Sequence, residues 1–277
     1  MLISVLTAVH QPSAVYLPQT LASIAAQTLP TGWELEWVLQ EDGPASSEVA
    51  GITGGHDWVR YSANGAKLGI AGTRNLGLNR VRGSLIQVLD SDDLLLPGAL
   101  ATLIPHFDDL SVHWALGQAD DLLPDGTRKS FPPYEGLPFG RVPAGAVNTW
   151  ALETGGSWPV HCAGLMLRST SVRVMGGWGG VPTNDDLVMF AGLSGAADGY
   201  FDATTTWLYR QHDAQTVRGS HHRTWGEETR RMALQRAVAV RNSGLRLPDA
   251  VPAASEKEYD VSVAPSLKAV VPVDDPN

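Results

Sequence analysis

Two clusters of carboxylates stand where an apolar segment of the sequence ends. Asp90-Ser91-Asp92-Asp93 follows Leu85 to Leu89, and Glu41-Asp42-Gly43-Pro44 follows Glu34 to Leu39. Carboxylates two apart on an extended segment can converge on one hard cation, and Mg²⁺ or Mn²⁺ prefers such oxygen ligands while keeping positions for phosphate oxygens. The alternative is structural, because aspartate also forms turns and caps helices, and this cluster could cap a helix around residues 97–104.

Basic residues are concentrated between these two clusters. The segment contains Arg60, Lys67, Arg74, Arg80 and Arg82, and no lysine or arginine precedes it. A local excess of positive charge on an acidic chain would suit a ligand that carries phosphate. The alternative is a solvated helix face, which applies most directly to Arg80 and Arg82.

The apolar pattern around the clusters predicts alternating strands and helices. Ile3 to Val9 is a β-branched run typical of a buried parallel strand, and Leu17, Leu21 and Ile24 recur at helical spacing. Such alternation implies a mostly parallel sheet, in which ligands bind just beyond the carboxyl ends of the strands. Both acidic clusters fall at such ends. The further elements predicted here are strands over residues 34–39, 58–62 and 85–89 and a helix over residues 71–81.

The pattern breaks down after the first half of the chain. From about Pro124 to Pro159 the sequence is rich in glycine, proline and tryptophan, which predicts a loop-rich insertion. Ordered elements then return. They are strands over residues 163–168 and 201–209 and a helix that begins at Asp185-Asp186 and continues through Leu193.

A long helix is predicted near the carboxyl terminus. Thr224 and Glu227 have capping-box spacing, Glu227 can pair with Arg231, and Gly244 is placed to end the helix. Beyond Pro248 the sequence has no period, which predicts a loose or extended tail.

Composition restricts the class of protein. With 277 residues, 43% of them hydrophobic, the chain can bury a sizeable core, which excludes wholesale disorder and fibrous rods. The single cysteine, Cys162, excludes an internal disulfide and a cysteine-based zinc site. A net charge of −9 argues against nucleic-acid binding. No apolar run reaches the length of a membrane span and the first nine residues lack a basic leader, so we expect a cytoplasmic protein without an integral membrane segment.

Several motifs occur together in order: Ser4-Val5-Leu6-Thr7-Ala8-Val9, Asp42-Gly43, Gly65 to Leu78 with Thr73-Arg74-Asn75, and Leu89-Asp90-Ser91-Asp92-Asp93 followed by Pro97. This set closely resembles the family 2 glycosyltransferases, strongly over residues 1–105 and more loosely over 160–216. The resemblance implies the GT-A fold, an α/β fold whose Rossmann-like, mostly parallel sheet is flanked by helices. It also implies inverting transfer of a sugar from a UDP-, dTDP- or GDP-linked donor to an acceptor hydroxyl, with Mn²⁺ or Mg²⁺ as cofactor.

The resemblance places the nucleotide near four positions of the first half. Thr7 through Val9 and Asp42 resemble the nucleotide cradle, in which an aspartate accepts a hydrogen bond from the base. A plain turn residue is the alternative for Asp42. Arg74 is similar to the family arginine near the nucleotide, with a helix-surface ion pair as its alternative, and Lys67 is a further candidate contact.

The resemblance also implies a metal site. Asp90 resembles the first carboxylate of the Asp-x-Asp motif, near ribose and metal, Ser91 lies between, and Asp92 resembles the carboxylate that binds the cation. His212 resembles a histidine that completes the metal site in several GT-A enzymes, with a surface residue as the alternative. The chemistry is coherent because a divalent cation stabilises the charge that accumulates on a leaving nucleoside diphosphate.

Inverting transfer needs a carboxylate that takes the proton of the acceptor hydroxyl. Asp185-Asp186, after the turn Gly176-Gly177-Trp178, resembles the family's Glu-Asp base motif. Aligning that motif with Asp185-Asp186 makes Asp186 the base, which we prefer, whereas Asn184-Asp185 would make it Asp185. Neither alignment supplies the glutamate, and an acidic pair favoured by the helix dipole is the structural alternative.

Trp150 and Trp158 lie in the segment where the family varies to suit its acceptor. Tryptophan faces pack against sugar rings, but tryptophans equally fill cores. The expected organisation is a nucleotide-sugar-binding half over residues 1–123, an acceptor-binding half over 124–216, a C-terminal helix over 217–246 and a tail over 247–277.

Two other functions fit parts of the pattern. A non-catalytic GT-A module would bind a nucleotide or a partner without turnover, and the missing glutamate favours it. A nucleotidyltransferase also pairs carboxylates with a metal and a nucleotide. It would need a glycine-rich, basic phosphate loop after the first strand, and His10-Gln11-Pro12-Ser13 offers none.

Overall fold

The chain forms one mixed ten-stranded sheet in a computed structural model that describes residues 1–130 and 136–252. The strands are β1 (Leu2–Val9), β2 (Glu34–Glu41), β3 (Val59–Ala63), β4 (Leu85–Val88), β5 (Leu94–Leu95), β6 (Val112–Leu122), β7 (Arg128–Ser130), β8 (Gly140–Val142), β9 (Met166–Arg168) and β10 (Asp198–Arg210). The helices are α1 (Leu17–Ala25), α2 (Ser47–Thr53), α3 (Gly69–Leu78), α4 (Ala99–Leu103), α5 (Ala146–Glu153), α6 (Ser169–Val174), α7 (Asp185–Ala196) and α8 (Ser220–Ser243).

Strand order brings the carboxyl ends of most strands to one edge of the sheet. The order is β3-β2-β1-β4-β9-β6-β10-β5, with β7 paired to β6 and β8 to β10. Strands β3, β2, β1 and β4 are parallel, as are β6 and β10, whereas β9 runs antiparallel between β4 and β6. The segments that follow β1, β2, β4 and β10 therefore meet at the same edge. Residues 1–123 and 124–216, predicted as two halves, share this sheet.

Alternate residues of each strand enter cores on opposite faces of the sheet. Along β2, Trp37 and Leu39 join the core that contains α1 and α4, and Val38 joins the core that contains α3 and α7. Because strand side chains alternate between faces, a strand buried on both sides is an apolar run without a polar period. This explains why β1 and β2 were predictable from composition.

The strands and helices predicted in the first half are present, with bounds that differ by a few residues. A long strand beyond them, β6, was not predicted. Its eleven residues pair with β10, β9 and β7, but His113, Gln118 and Asp120 interrupt its apolar pattern. Two of those side chains have partners from distant segments: His113 Nδ1 lies 2.7 Å from Ser171 Oγ, and Gln118 Nε2 donates to the carbonyl of Ala203 at 2.9 Å.

The predicted loop-rich insertion contains regular structure. Helix α5 and strands β7 and β8 lie within it, and β8 pairs with β10. Gly140, the first residue of β8, and Gly145, directly before α5, both have positive φ, so glycines that gave the segment its loop-like composition belong to ordered structure. Residues 131–135 of the insertion lie outside the described part of the chain.

The C-terminal helix lies within the predicted range 217–246 but begins before Thr224, which was predicted to cap it. It starts at Ser220, so Thr224 lies inside the helix and does not cap it. Arg231 pairs with Glu227 at 3.2 Å, and Gly244 ends the helix with φ 66°, both as predicted. Across residues 1–130 and 136–252, no helix is long and apolar enough to cross a membrane.

The first residues after α8 are bound to the rest of the fold by backbone hydrogen bonds. Leu247 N donates to the carbonyl of Ala196, and Ala250 N donates to the carbonyl of Leu110, each in a normal backbone hydrogen bond. The prediction of a loose tail is therefore wrong for residues 247–250. The remainder of the predicted tail, residues 253–277, lies outside the described residues.

Candidate active site

A cleft opens at the edge of the sheet where the strands' carboxyl ends meet. Its walls come from the end of β1, from α3, from the loop after β4, from the N-terminus of α7 and from the segment after β10. Six predicted site residues line it together. They are Arg74, Asp90, Ser91, Asp92, Asp185 and Asp186.

Arg74 bridges two carboxylates that are far apart in the sequence. Its Nη1 donates to Asp185 Oδ2 at 2.9 Å and its Nη2 donates to Asp90 Oδ1 at 2.5 Å. The Arg74 and Asp185 side chains are only 3% and 4% exposed, and Asp90 is 28% exposed. The predicted alternative of a helix-surface ion pair is wrong, because this pair is buried and joins α3 to α7.

The charges of three carboxylates act on the Arg74 guanidinium, and the pKa values of these groups shift as a result. Burial by itself would lower the pKa of Arg74, but the charges of Asp185, Asp90 and Asp186 outweigh burial and raise it. Burial raises the pKa of Asp185 to about 6, because Arg74 offsets only part of the desolvation and Asp186 adds repulsion. Burial likewise raises the pKa of Asp186, against the charge of Arg74.

The acidic pair stands at the N-terminus of α7, where the two residues have different partners. Asp185 is held by Arg74, whereas Asp186 makes no ion pair and its Oδ1 accepts from Leu187 N at 2.8 Å. A carboxylate at this end of a helix is stabilised by the free backbone N–H groups. The structural alternative for the pair is therefore present, together with placement of both residues in the cleft.

Asp92 and His212 meet across the cleft as the sequence resemblance implies. His212 Nε2 lies 2.7 Å from Asp92 Oδ2, and the backbone carbonyl of Asp92 accepts from Arg210 Nε at 2.6 Å. Burial and the charge of Asp90 raise the pKa of Asp92, while the contact with His212 opposes the rise. The predicted surface alternative for His212 is wrong, because the ring is largely buried and packs on Tyr16.

Asp93 is the last residue of the acidic cluster, and the sequence analysis considered it as a possible helix cap and not as a site residue. It is buried, its Oδ1 accepts from Arg210 N at 2.9 Å, and its Oδ2 has no hydrogen-bond partner. Burial, then the charges of Asp92 and Asp90, raise the pKa of Asp93 well above its ordinary value. Neither Asp92 nor Asp93 caps a helix, since α4 begins after Gly98 with no side-chain cap.

The donor set in the cleft fits a hard cation in part. Within residues 1–130 and 136–252, no three His, Cys, Asp or Glu side chains are arranged to hold a metal ion. Asp90 is engaged by Arg74, which leaves the carboxylate of Asp92 and the imidazole of His212 as the adjacent pair. His212 Nδ1 is buried without a partner. A metal held here would take two ligands from the chain and the others from water or phosphate oxygens.

Asp42 lies in the turn after β2, and its carboxylate accepts hydrogen bonds from the backbone at the start of α3. Its Oδ1 accepts from Leu68 N at 2.6 Å and from Gly69 N at 3.2 Å, and Asn64 Nδ2 donates to it at 3.2 Å. These bonds match the turn interpretation of Asp42. A base contact would have to be made in addition to them.

The remaining predicted nucleotide contacts lie differently. Thr7 is buried with its Oγ1 accepting from Trp37 Nε1 at 3.0 Å, and Val9 is part of the core. Their side chains cannot form a cradle; Ala8, between them, is the residue that lines the cleft. Lys67 is exposed before α3, and its charge, after burial, contributes to lowering the pKa of His10.

His10 is a cleft residue that the sequence analysis did not propose. It follows β1 directly, hydrogen-bonds through Nδ1 with Ser13 Oγ at 3.2 Å, and lines the cleft with that serine. The strand-end rule that identified Asp42 and Asp90 would have found it, because β1 occupies the centre of the parallel strands.

The two tryptophans predicted for the acceptor do not line this cleft. Trp158 is buried in the core that contains α7, so the core interpretation holds for it. Trp150 lies half-buried on α5 and borders a separate cavity with Leu137 and Glu153. Neither tryptophan can therefore contact a ligand in this cleft, and Tyr209 is the aromatic side chain on its wall.

Comparison with known proteins shows what the first half of the chain is similar to. Residues 4–135 match the model described as Glycosyl transferase family 2. A Mycobacterium tuberculosis (strain CDC 1551 / Oshkosh) protein, MT1568, is 35% identical over 127 residues, which make up 44% of this chain and 38% of that protein. The chain therefore spans well under half of the length of this curated relative.

Crystal structures of S. aureus TarS share the fold. TarS 1–349 in complex with UDP-GlcNAc has a TM-score of 0.64 at 13% identity, covering 88% of this chain and 74% of that one. The complex with UDP has a TM-score of 0.60 at 15% identity, covering 77% and 61%. These similarities confirm the predicted GT-A fold.

Proposed function

We propose that this chain, whose residues 4–135 match the Glycosyl transferase family 2 model, acts as a glycosyltransferase of that family and transfers a sugar from a nucleoside diphosphate sugar to a hydroxyl group of an acceptor. The observation that carries the proposal is the meeting of two sets of residues in one cleft. Asp90 and Asp92 come from the loop after β4, and Asp186 comes from the N-terminus of α7. A leaving diphosphate and an attacking hydroxyl need chemistry of these two kinds on opposite sides of the sugar.

The donor in this proposal is UDP-linked. TarS, which shares the fold, has been crystallised with UDP and with UDP-GlcNAc. His10 lines the cleft directly after β1, and the exposed Lys67, before α3, is near enough for its charge to act on His10, so hydrogen-bonding and positive groups are available to the nucleotide on this side. Arg74 lies deeper, and its charge compensates carboxylates even before a donor arrives.

Asp92 and His212 would hold Mn²⁺ or Mg²⁺, with Asp90 facing the same space. Support comes from the 2.7 Å contact between the two ligands and from the excess of carboxylate over guanidinium, which a cation would relieve. When bound, the cation supplies Lewis-acid stabilisation of the departing diphosphate. His212 is oriented for this by Tyr16, on which its ring packs, and by the turn that Asp93 anchors at Arg210.

Asp186 is the proposed base. Asp185 is committed to Arg74, whereas Asp186 is free of ion pairs and lines the cleft. The acceptor hydroxyl loses its proton to the Asp186 carboxylate as its oxygen attacks the anomeric carbon, and the bond to the diphosphate breaks on the opposite face. The raised pKa of Asp186 makes it a better proton acceptor than an exposed aspartate, as general-base catalysis requires.

Calorimetry with UDP and Mn²⁺, combined with a UDP-release assay over a panel of UDP-sugars, tests the proposal. Asp186→Asn should keep UDP affinity and lose about 10²–10⁴-fold in turnover, the usual contribution of a general base. Asp92→Ala should lose the Mn²⁺ dependence of UDP binding. Asp57→Ala, an exposed aspartate outside the cleft, is the matched control and should behave as wild type.

Three outcomes contradict parts of the proposal. UDP binding without turnover of any donor would indicate a binding module. Loss of turnover in Asp185→Asn but not in Asp186→Asn would assign the base to the other aspartate. Unchanged Mn²⁺ dependence in Asp92→Ala would remove the metal site.

A further inference from the structure

Asn184, the residue before the acidic pair, has an unusual backbone conformation. Its φ of 57° and ψ of 28° lie in the left-handed region, and among the described residues it is the only non-glycine with positive φ. Such conformations are costly for residues with a side chain and are retained where the surrounding structure requires them. Asparagine tolerates this region better than most residues do.

The Asn184 side chain is tied to α8. Its Nδ2 donates to the carbonyl of Gly226 at 3.1 Å and to Thr229 Oγ1 at 3.0 Å. A second contact joins the same two elements, because Thr183 Oγ1 lies 3.1 Å from His222 Nδ1. The N-terminus of α7 is therefore fixed by two consecutive side chains on one helix.

Helix α8 is a firm support for this connection. Its face towards α7 consists of small or short side chains, and Gly226, Thr229, Ala233 and Ala237 are buried there. The approach is close: a Cβ added to Gly195 of α7 would lie 2.9 Å from the side chain of Val240. Packing at this distance transmits a shift of α8 to α7.

The start of α7 needs such support because of its charge. Asp185 and Asp186 face Asp90 across the cleft, and Arg74 is the guanidinium that bridges two of these three carboxylates. Repulsion among them would displace the first turn of α7 outwards. The amide of Asn184 opposes this with two hydrogen bonds that do not depend on the charges in the cleft.

We propose that Asn184 is a positioning residue, which holds the first turn of α7 on α8 and so sets the place of the Asp186 carboxylate. The inference rests on the proposed function for the role of Asp186. Asparagine suits the position because it combines tolerance of the left-handed conformation with two amide donors. Glycine would keep the backbone conformation but would lose the amide donors. A glycine variant therefore separates the effect of the backbone conformation from the effect of the hydrogen bonds to α8.

Steady-state kinetics and UDP calorimetry on four single variants and one double variant test the inference. Asn184→Gly and Thr229→Val should each lower kcat at least about tenfold, as small misplacements of catalytic groups do, with UDP affinity unchanged. Thr229→Ser, which keeps the hydroxyl, should retain wild-type kcat. Asn79→Gly, an exposed asparagine at the end of α3, is the matched control and should also retain it. The kcat of the double variant Asn184→Gly/Thr229→Val should fall no further than that of Asn184→Gly alone, because Asn184→Gly already removes the hydrogen bond to Thr229.

Amide hydrogen exchange separates failure of the inference from failure of the proposed function. The Leu187 and Val188 amides should exchange faster in Asn184→Gly than in wild type. If the wild type turns over no donor, the proposed function fails, and amide exchange alone tests whether Asn184 holds α7 on α8. Faster exchange in Asn184→Gly then supports that role, and unchanged exchange overturns it. With an active wild type, unchanged kcat in Asn184→Gly overturns the inference, as does a fall in kcat matched by lost UDP binding.

Discussion

Removing the guanidinium of Arg74 gives the sharpest test of how charge is arranged in the cleft. Arg74→Met keeps much of the apolar stem and deletes the hydrogen bonds to Asp90 and Asp185. Because Asp185 is 4% exposed, water cannot replace the lost partner there. Breaking a buried ion pair by removing one member costs about 3–5 kcal/mol, and we expect a loss of unfolding free energy of that size at pH 8.

The loss should depend on pH in a defined direction. The folded-state pKa of Asp185 is about 6, above its ordinary value, so the native state binds a proton more readily than the unfolded state does. A group of this kind stabilises the fold most below its unfolded pKa and loses that contribution as pH rises through the folded pKa. Without Arg74 the folded pKa rises further, so Asp185 stays protonated to higher pH. The difference between wild type and Arg74→Met should therefore widen above pH 6, by about 1.4 kcal/mol per pH unit until the variant's Asp185 ionises.

Urea unfolding followed by tryptophan fluorescence at pH 5 and pH 8 measures both effects. Arg231→Met, which removes an exposed ion pair with Glu227 and Glu228, is the matched control and should change stability by no more than about 1 kcal/mol. In Arg74→Met/Asp185→Asn the widening with pH should disappear. A loss in Arg74→Met no larger than in the control, or one of equal size at pH 5 and pH 8, would refute the charge-compensation argument.

Two further predictions concern packing and are checked by the same unfolding measurements. Gly83→Ala should lower the free energy of unfolding by about 1–3 kcal/mol, because its Cβ would lie 2.6 Å from a backbone nitrogen of β1. Gly51→Ala, which has open space on α2, should raise the free energy of unfolding by about 0.5–1 kcal/mol. Equal effects of the two substitutions would contradict the close approach at Gly83. Trp158→Ala should cost about 3–5 kcal/mol, as expected for a buried ring in a core, and should leave donor turnover per folded molecule unchanged; a selective loss of turnover would restore an acceptor role for this tryptophan.

The parts of the fold that could be predicted are those whose pattern is local. Strands β1, β2 and β4 are buried on both faces and appear as apolar runs, and the carboxyl ends of β2 and β4 appear as abrupt acidic turns. Strand β6 is as central in the sheet as these strands, but polar residues interrupt its apolar pattern, so the sequence did not predict it. Their partners, such as Ser171 for His113, come from segments that only the folded chain brings near. A pattern search along the chain has no access to such partners.

The same distinction applies to the cleft. Asp90, Asp92 and Asp186 could be proposed because motifs surround them, and the strand-end rule predicts where they meet. That Arg74 would join Asp90 to Asp185 could not be inferred, because the bond spans residues 74 and 185 and depends on how α7 docks. The hydrogen bonds from Asn184 to α8 could not be predicted for the same reason, and nothing in a threonine-asparagine pair indicates a residue in the left-handed conformation.

Charge balance connects these observations. A cleft built to receive a diphosphate would be expected to be basic, but here the carboxylates outnumber the one buried guanidinium, and burial raises the pKa of Asp92, Asp93 and Asp185. An acidic cleft repels a bare diphosphate and attracts a cation, so the arrangement favours a donor that arrives with its divalent ion over free UDP. The same excess of negative charge acts on the start of α7, which is why Arg74 on one side and α8 on the other have to hold it. If the chain has the proposed function, donor binding and base placement depend on one electrostatic balance, and a cation that enters the cleft would act on both.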